Sequence, residues 1–143
     1  MSDLEKVAIV CGGRGFTNYP ALCLALDKCL DVHNFNVVRH GAASGADTLA
    51  DKWARSKGIK TDPCPAQWKK YGKSAGYKRN YHMATKLPLP SLVIAFPGGV
   101  GTNMMKEIAC KHNIHLITVD MGNERLNLSV ASRSATERSE VEK

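Results

Sequence analysis

Five short apolar runs rich in β-branched residues, alternating with stretches whose apolar residues recur at helical spacing, predict an α/β fold around a mostly parallel sheet of about five strands. Two further observations give that fold a direction. Three of the strand-like runs end directly in glycine-bearing loops, and the basic charge is gathered into one central segment.

The first run, KVAIVC (6–11), is bounded by Gly12 and Gly13 and reads as a buried strand. Thr17 or Asn18 can cap the helix that follows, and Pro20 suits its first turn. Leu22, Ala25, Leu26, Cys29 and Leu30 then form one core-facing stripe. NVVRH (36–40) is the second strand. After the loop GAASGAD, a helix near 47–57 points Leu49, Ala50, Trp53 and Ala54 inward, with Gly58 as its αL stop. A weaker third strand runs from Ile59 toward Asp62. The segment 66–87 turns helical from about Ala75 to Lys86. SLVIAF (91–96) is the clearest strand, and PGGVGT leads from it into a helix carrying Met104, Met105, Ile108 and Ala109, with Thr102 at a capping position. HLITVD closes the series. Strands alternating with crossover helices cover both faces of the sheet, which is a Rossmann-like three-layer sandwich. Residues 1–120 make one domain, and the polar, serine-rich stretch 121–143 reads as a mobile tail.

Composition narrows the function. The 143 residues are 43% hydrophobic and 23% charged, ordinary for a soluble domain. No apolar run approaches the roughly 20 residues that cross a bilayer, and the N-terminus MSDLEK does not have the layout of a secretory signal, so a cytoplasmic protein is expected with no membrane partner. Cys11, Cys23, Cys29, Cys64 and Cys110 show no CxxC pairing and no metal spacing with the five histidines, and neither a metal nor a cofactor is expected. Cys11, Cys23, Cys29 and Cys110 read as small buried hydrophobes, while Cys64, in the loop DPCP, is the candidate reactive thiol. Residues 52–86 hold ten basic residues against Asp62 alone, a net of +9, so the whole excess behind the chain's +7 lies there. Such a segment attracts phosphorylated small molecules, nucleic acid or an acidic protein.

In an open parallel sheet, ligands gather beyond the carboxyl ends of the strands. CGGRG (11–15), HGAASGAD (40–47) and PGGVGT (97–102) should therefore share one edge, where glycine admits a close ligand and each following helix offers free N–H groups and a positive dipole end. None is a Walker A loop, because no GKS or GKT follows, and the first is not a GxGxxG fingerprint. Trp68 and Tyr71, interleaved with Lys69 and Lys70, suit either base stacking or a packed lid, whereas Tyr77 and Tyr81 read as packing residues. His40 is the only histidine near the presumed site.

These motifs resemble the SLOG superfamily of Rossmann-like nucleotide-binding domains, specifically its YspA-related members. The resemblance covers roughly residues 6–119 and rests on Gly12, Gly13 and Arg14, on HGAASGADTLADKWA, on Arg79–Asn80 with Met83, and on AFPGGVGT. The second motif also resembles DprA-type DNA-processing proteins, and the last resembles the PGGxGTxxE motif of the LOG phosphoribohydrolases. The resemblance implies that Pro97, Gly98, Gly99, Gly101 and Thr102 hold a phosphate. It implies that Gly41, Ser44, Gly45 and Asp47 contact ribose or phosphate, that Gly12, Gly13 and Arg14 line the first loop, and that Arg79 beside Asn80 approaches the ligand. A guanidinium's bidentate match to phosphate favours Arg79 independently. The LOG motif places its catalytic glutamate three residues beyond the threonine, where this chain has Met105. Glu107 faces roughly 200° away around the helix at ~100° per residue. Any N-glycosidic chemistry would have to use Asp47 and Arg79 as its catalytic pair.

Three functions are then expected, in this order: a binding or sensing module for a phosphorylated nucleotide or NAD-derived ligand; a hydrolase or transferase acting at a nucleotide N-glycosidic bond; and a DprA-like binder of single-stranded nucleic acid. A homo-oligomer, dimer or larger, is implied by the resemblance.

Overall fold

The computed structural model describes residues 4–120 and the backbone of residues 127–131. In chain order the elements are β1 (Val7–Cys11), α1 (Tyr19–His33), β2 (Val37–His40), α2 (Ala46–Ser56), β3 (Lys60–Pro63), α3 (Trp68–Tyr71), a 3₁₀ turn (Gly72–Ser74), α4 (Ala75–Thr85), β4 (Pro90–Ala95), α5 (Val100–Lys111), β5 (His115–Asp120) and β6 (Asn127–Ala131). The sheet order is β3-β2-β1-β4-β5-β6. The first five strands are mutually parallel, as the alternating pattern requires, and β6 runs antiparallel along β5. Residues 127–131 were expected within a mobile tail. They instead supply the edge strand, because Asn127–Ala131 can satisfy the outer backbone groups of β5. The rest of the expected tail, residues 121–126 and 132–143, lies outside the described residues.

Strand periodicity divides the core. Ala8 and Val10 face one way, joining Leu22, Leu26 and Cys29 of α1 and Ala50, Trp53 and Ala54 of α2. Ile9 and Cys11 face the other way, joining Met83 and Ala84 of α4 and Met105, Ile108 and Ala109 of α5. The helix ends follow local chemistry. Asn18 caps α1 by accepting from Ala21 N–H at 3.2 Å with Pro20 in the first turn, and Gly58 takes φ +71° just beyond α2.

Among the described residues, one charged side chain is fully buried. Arg39 on β2 donates from Nε to Asp62 Oδ2 at 2.8 Å, from Nη1 to Met83 O at 2.8 Å, and from Nη2 to Pro88 O at 2.9 Å. Asp62 also receives Lys86 Nζ at 3.1 Å. Desolvation pushes the Asp62 carboxyl upward, but the hydrogen bonds and charges of Arg39 and Lys86 outweigh it and hold the group below its usual value. This network fastens the end of α4 to β2 and β3, and α4 carries Arg79 and Asn80.

Several local expectations change. Thr102 does not cap α5: the cap is Gly99, and Thr102 lies buried within the first turn. Tyr77 and Tyr81 do not pack inward but stack on each other, each about half exposed. Cys110 is exposed, and Cys64 is buried, with desolvation as the main cause raising its thiol above the usual value. Cys64 therefore lacks the easy thiolate of a reactive cysteine.

Candidate functional site

The chain leaves β1 to build β2 and β3 on one side, then returns to build β4 and β5 on the other. The reversal opens a crevice beyond the carboxyl ends of β1 and β4. All three glycine loops meet there, around Gly13. Its N–H donates to Pro97 O at 2.8 Å, and its carbonyl accepts from Ala46 N–H at 3.1 Å at the start of α2. Two glycines permit this approach. Gly45 has φ +78°, and a Cβ there would run into the carbonyls of Gly13 and Arg14. A Cβ on Gly98 would collide with the Thr102 side chain and lie 2.7 Å from the nitrogen of Gly13.

α4 closes the crevice from the side. Arg79 Nη1 donates to Gly41 O, its Nε donates to Asn80 Oδ1 at 2.9 Å, and Asn80 Nδ2 donates to Gly101 O at 3.2 Å. The Arg79–Asn80 pair thus ties the second glycine loop to the third. Arg79 is partly exposed, and its Nη2 has no protein partner among the described residues. Burial pulls the guanidinium below its ordinary value while the charge of Asp47 opposes the shift, and the group stays cationic. Cys11, Gly41, Asp47, Arg79, Asn80 and Thr102 are among the residues lining the small central hollow.

Asp47 is buried and accepts from Gly41 N–H at 3.1 Å and Ala43 N–H at 3.2 Å through one oxygen. Burial raises its carboxyl above the usual value, against the hydrogen bond from Ala43, the charges of His40 and Arg79, and the bond from Gly41. Its geometry is that of a loop brace. His40 does similar work: Nδ1 accepts from Ala42 N–H at 3.0 Å, and Nε2 lies 2.8 Å from Asp51 Oδ1, which assigns the proton to Nε2.

The two helix N-termini at this edge differ electrostatically. α2 carries Asp47 in its first turn, whereas α5 has no acidic residue there and no side chain capping it. The start of α5 therefore presents backbone N–H groups and a positive dipole end with no carboxylate in its own first turn to offset them. Arg14 is exposed on the first loop, its guanidinium 5.8 Å from the centroid of Trp68, and Ser44 is exposed on the second. All the residues expected at the site thus lie on one edge. Sequence reasoning missed Arg39, Asp62 and Met83 O, which set the position of α4. Met105, where the LOG motif has its glutamate, is fully buried in the α4–α5 side of the core and presents no polar atom to the crevice.

Comparison with known proteins agrees with this geometry. The sequence model of the YspA, cpYpsA-related SLOG family matches residues 6–71, which contain the first two glycine loops. The Gene 61 protein of Mycobacterium phage D29 is 40% identical over 88 residues, spanning 57% of this chain and 69% of the phage protein. The chain belongs to the YspA, cpYpsA-related SLOG family. The strand order and the parallel pairing of β1 to β5 are consistent with a Rossmann-like fold. No helix among the described residues is long and apolar enough to cross a membrane.

Proposed function

We propose that this SLOG domain is a binding or sensing module for a phosphorylated nucleotide or NAD-derived ligand. The observation that carries the reading is the convergence of three glycine loops on Gly13, with a cation, Arg79, bridging two of them. The phosphate sits at the uncapped start of α5 over Gly98, Gly99, Gly101 and Thr102. Arg79 Nη2 and Arg14 approach its oxygens, and the loops of Gly12–Gly13 and Gly41–Gly45 receive the sugar. Membership of the SLOG family supports a nucleotide-related ligand.

A binding role is favoured over N-glycosidic cleavage because Met105 supplies no carboxylate and one oxygen of Asp47 is held by the N–H groups of its own loop. Titration calorimetry against nucleoside monophosphates, NAD and ADP-ribose tests the proposal. Arg14→Ala is the informative variant, because that side chain is exposed and forms no ion pair among the described residues. Loss of one charge-assisted contact, about 1.5–3 kcal/mol, weakens binding roughly tenfold or more. Lys28→Ala, on the far part of α1, leaves it unchanged. Release of free base would favour the enzyme reading. Oligonucleotide binding that falls steeply with salt and weakens equally in both variants would favour a nucleic-acid track.

A further inference from the structure

A second cleft, about 430 Å³, opens beside the crevice and shares Arg79 as a wall with it. One side is Pro63, the last residue of β3, with Cys64 and Pro65 just beyond it, so this cleft lies on the same carboxyl edge of the sheet. The other side is a single face of α4 and its end, where Lys78, His82 and Lys86 recur every four residues. Among the described residues, no carboxylate lines the cleft. Lys86 is held by Asp62, but Lys78, Arg79 and His82 form no ion pair among the described residues. The phenol ring of Tyr71, another wall, already has Lys78 Nζ at 5.0 Å and Lys70 Nζ at 5.1 Å from its ring centroid. That ring surface is lined by ammonium groups and is poorly placed to stack a base. The volume is within the range of ligand pockets, and the charge is of one sign.

We infer that this cleft receives a second anionic group of the bound ligand, so that the ligand class is a nucleotide with two phosphoryl groups rather than a simple monophosphate. The inference rests on the nucleotide site proposed above. Arg79 stands between the two anions, with Lys78 and His82 facing the outer one. A single anion at the start of α5 would leave Lys78 without a counter-charge among the described residues. The same chain stretch that gives the sequence its local net of +9 then has a specific task on one face of α4.

The test compares a nucleoside 5′-monophosphate with the corresponding 5′-diphosphate and 3′,5′-bisphosphate by calorimetry on three proteins: wild type, a Lys78→Ala/His82→Ala double variant, and Gly98→Val. Lys78 and His82 are exposed, so the double variant folds, which its circular dichroism and melting temperature verify. In the wild type, at least one doubly phosphorylated compound binds tenfold or more tighter than the monophosphate. The double variant loses that preference while keeping its monophosphate Kd within about twofold. Gly98→Val weakens all three compounds, because it disturbs the shared phosphate loop. Equal binding of all three compounds to wild type, or an unchanged preference in the double variant, overturns the second-anion cleft while leaving the nucleotide site standing. Absence of binding by every compound to wild type overturns both.

Discussion

Arg39→Met removes a guanidinium that is fully buried at the junction of β2, β3 and α4 while keeping a side chain of similar length. The loss can be worked from its contacts. Asp62 Oδ2 loses a 2.8 Å partner, and the carbonyls of Met83 and Pro88 lose donors at 2.8 and 2.9 Å. Breaking a buried ion pair from one side typically costs about 3–5 kcal/mol. The lower end applies here, because Asp62 is about a quarter exposed and retains Lys86. A loss of about 3 kcal/mol is expected at pH 7, or about 10 °C in melting temperature for a domain of this size. Urea denaturation followed by circular dichroism measures it. The same experiment across pH gives an independent sign. The Asp62 carboxyl is held below its usual value in the folded state, so its stabilisation is complete above the unfolded pKa of about 3.9 and is lost as pH falls through the folded value. The wild type therefore loses this contribution in acid, whereas Arg39→Met, having weakened the cause of the shift, shows a flatter acid limb. A loss below about 1 kcal/mol, or parallel acid limbs, would refute the claim that Arg39 anchors α4.

Two other outcomes follow from burial and pairing. Iodoacetamide labelling of the native protein, read by peptide mass spectrometry, should mark exposed Cys110 first. It should leave Cys64 and Cys11 protected, the latter with its thiol pushed up to about 12 chiefly by burial. Early modification of Cys64 would contradict its placement. Truncation after Asp120 removes β6 and bares the β5 edge, so the shortened chain should melt several degrees lower and aggregate more readily. A melting temperature unchanged within about 1 °C would show that the β5–β6 pairing contributes nothing to stability.

Local patterns in the sequence determined most of the elements. Apolar runs and helical stripes marked β1, α1, β2, α2, β4 and α5 within a few residues, because burial of one face imposes its period on the chain. The glycine loops were legible for the same reason: each directly joins a strand to a helix, and parallel strands must deliver such loops to one edge. Asn18 and Gly58 announced helix ends because capping is decided within four residues.

What tertiary structure decided depends on partners far apart in the chain. VVRH reads as a strand with an arginine in it, and nothing local says that Arg39 is buried. Its acceptors include Asp62, Met83 O and Pro88 O, 23, 44 and 49 residues away. Nor does anything local in GAASGAD say that one oxygen of Asp47 accepts from the N–H groups of Gly41 and Ala43. Tyr77 and Tyr81 carried the composition of packing residues, but α4 turned Met83 and Ala84 inward and left both rings outside. The cleft facing Lys78 and His82 lies between the end of β3 and α4, two segments that the Arg39–Asp62–Lys86 network joins across the fold. Periodicity reports which face of an element is buried. Which elements that face meets is settled by long-range packing, and it is there that the charges of the central segment acquire their geometry.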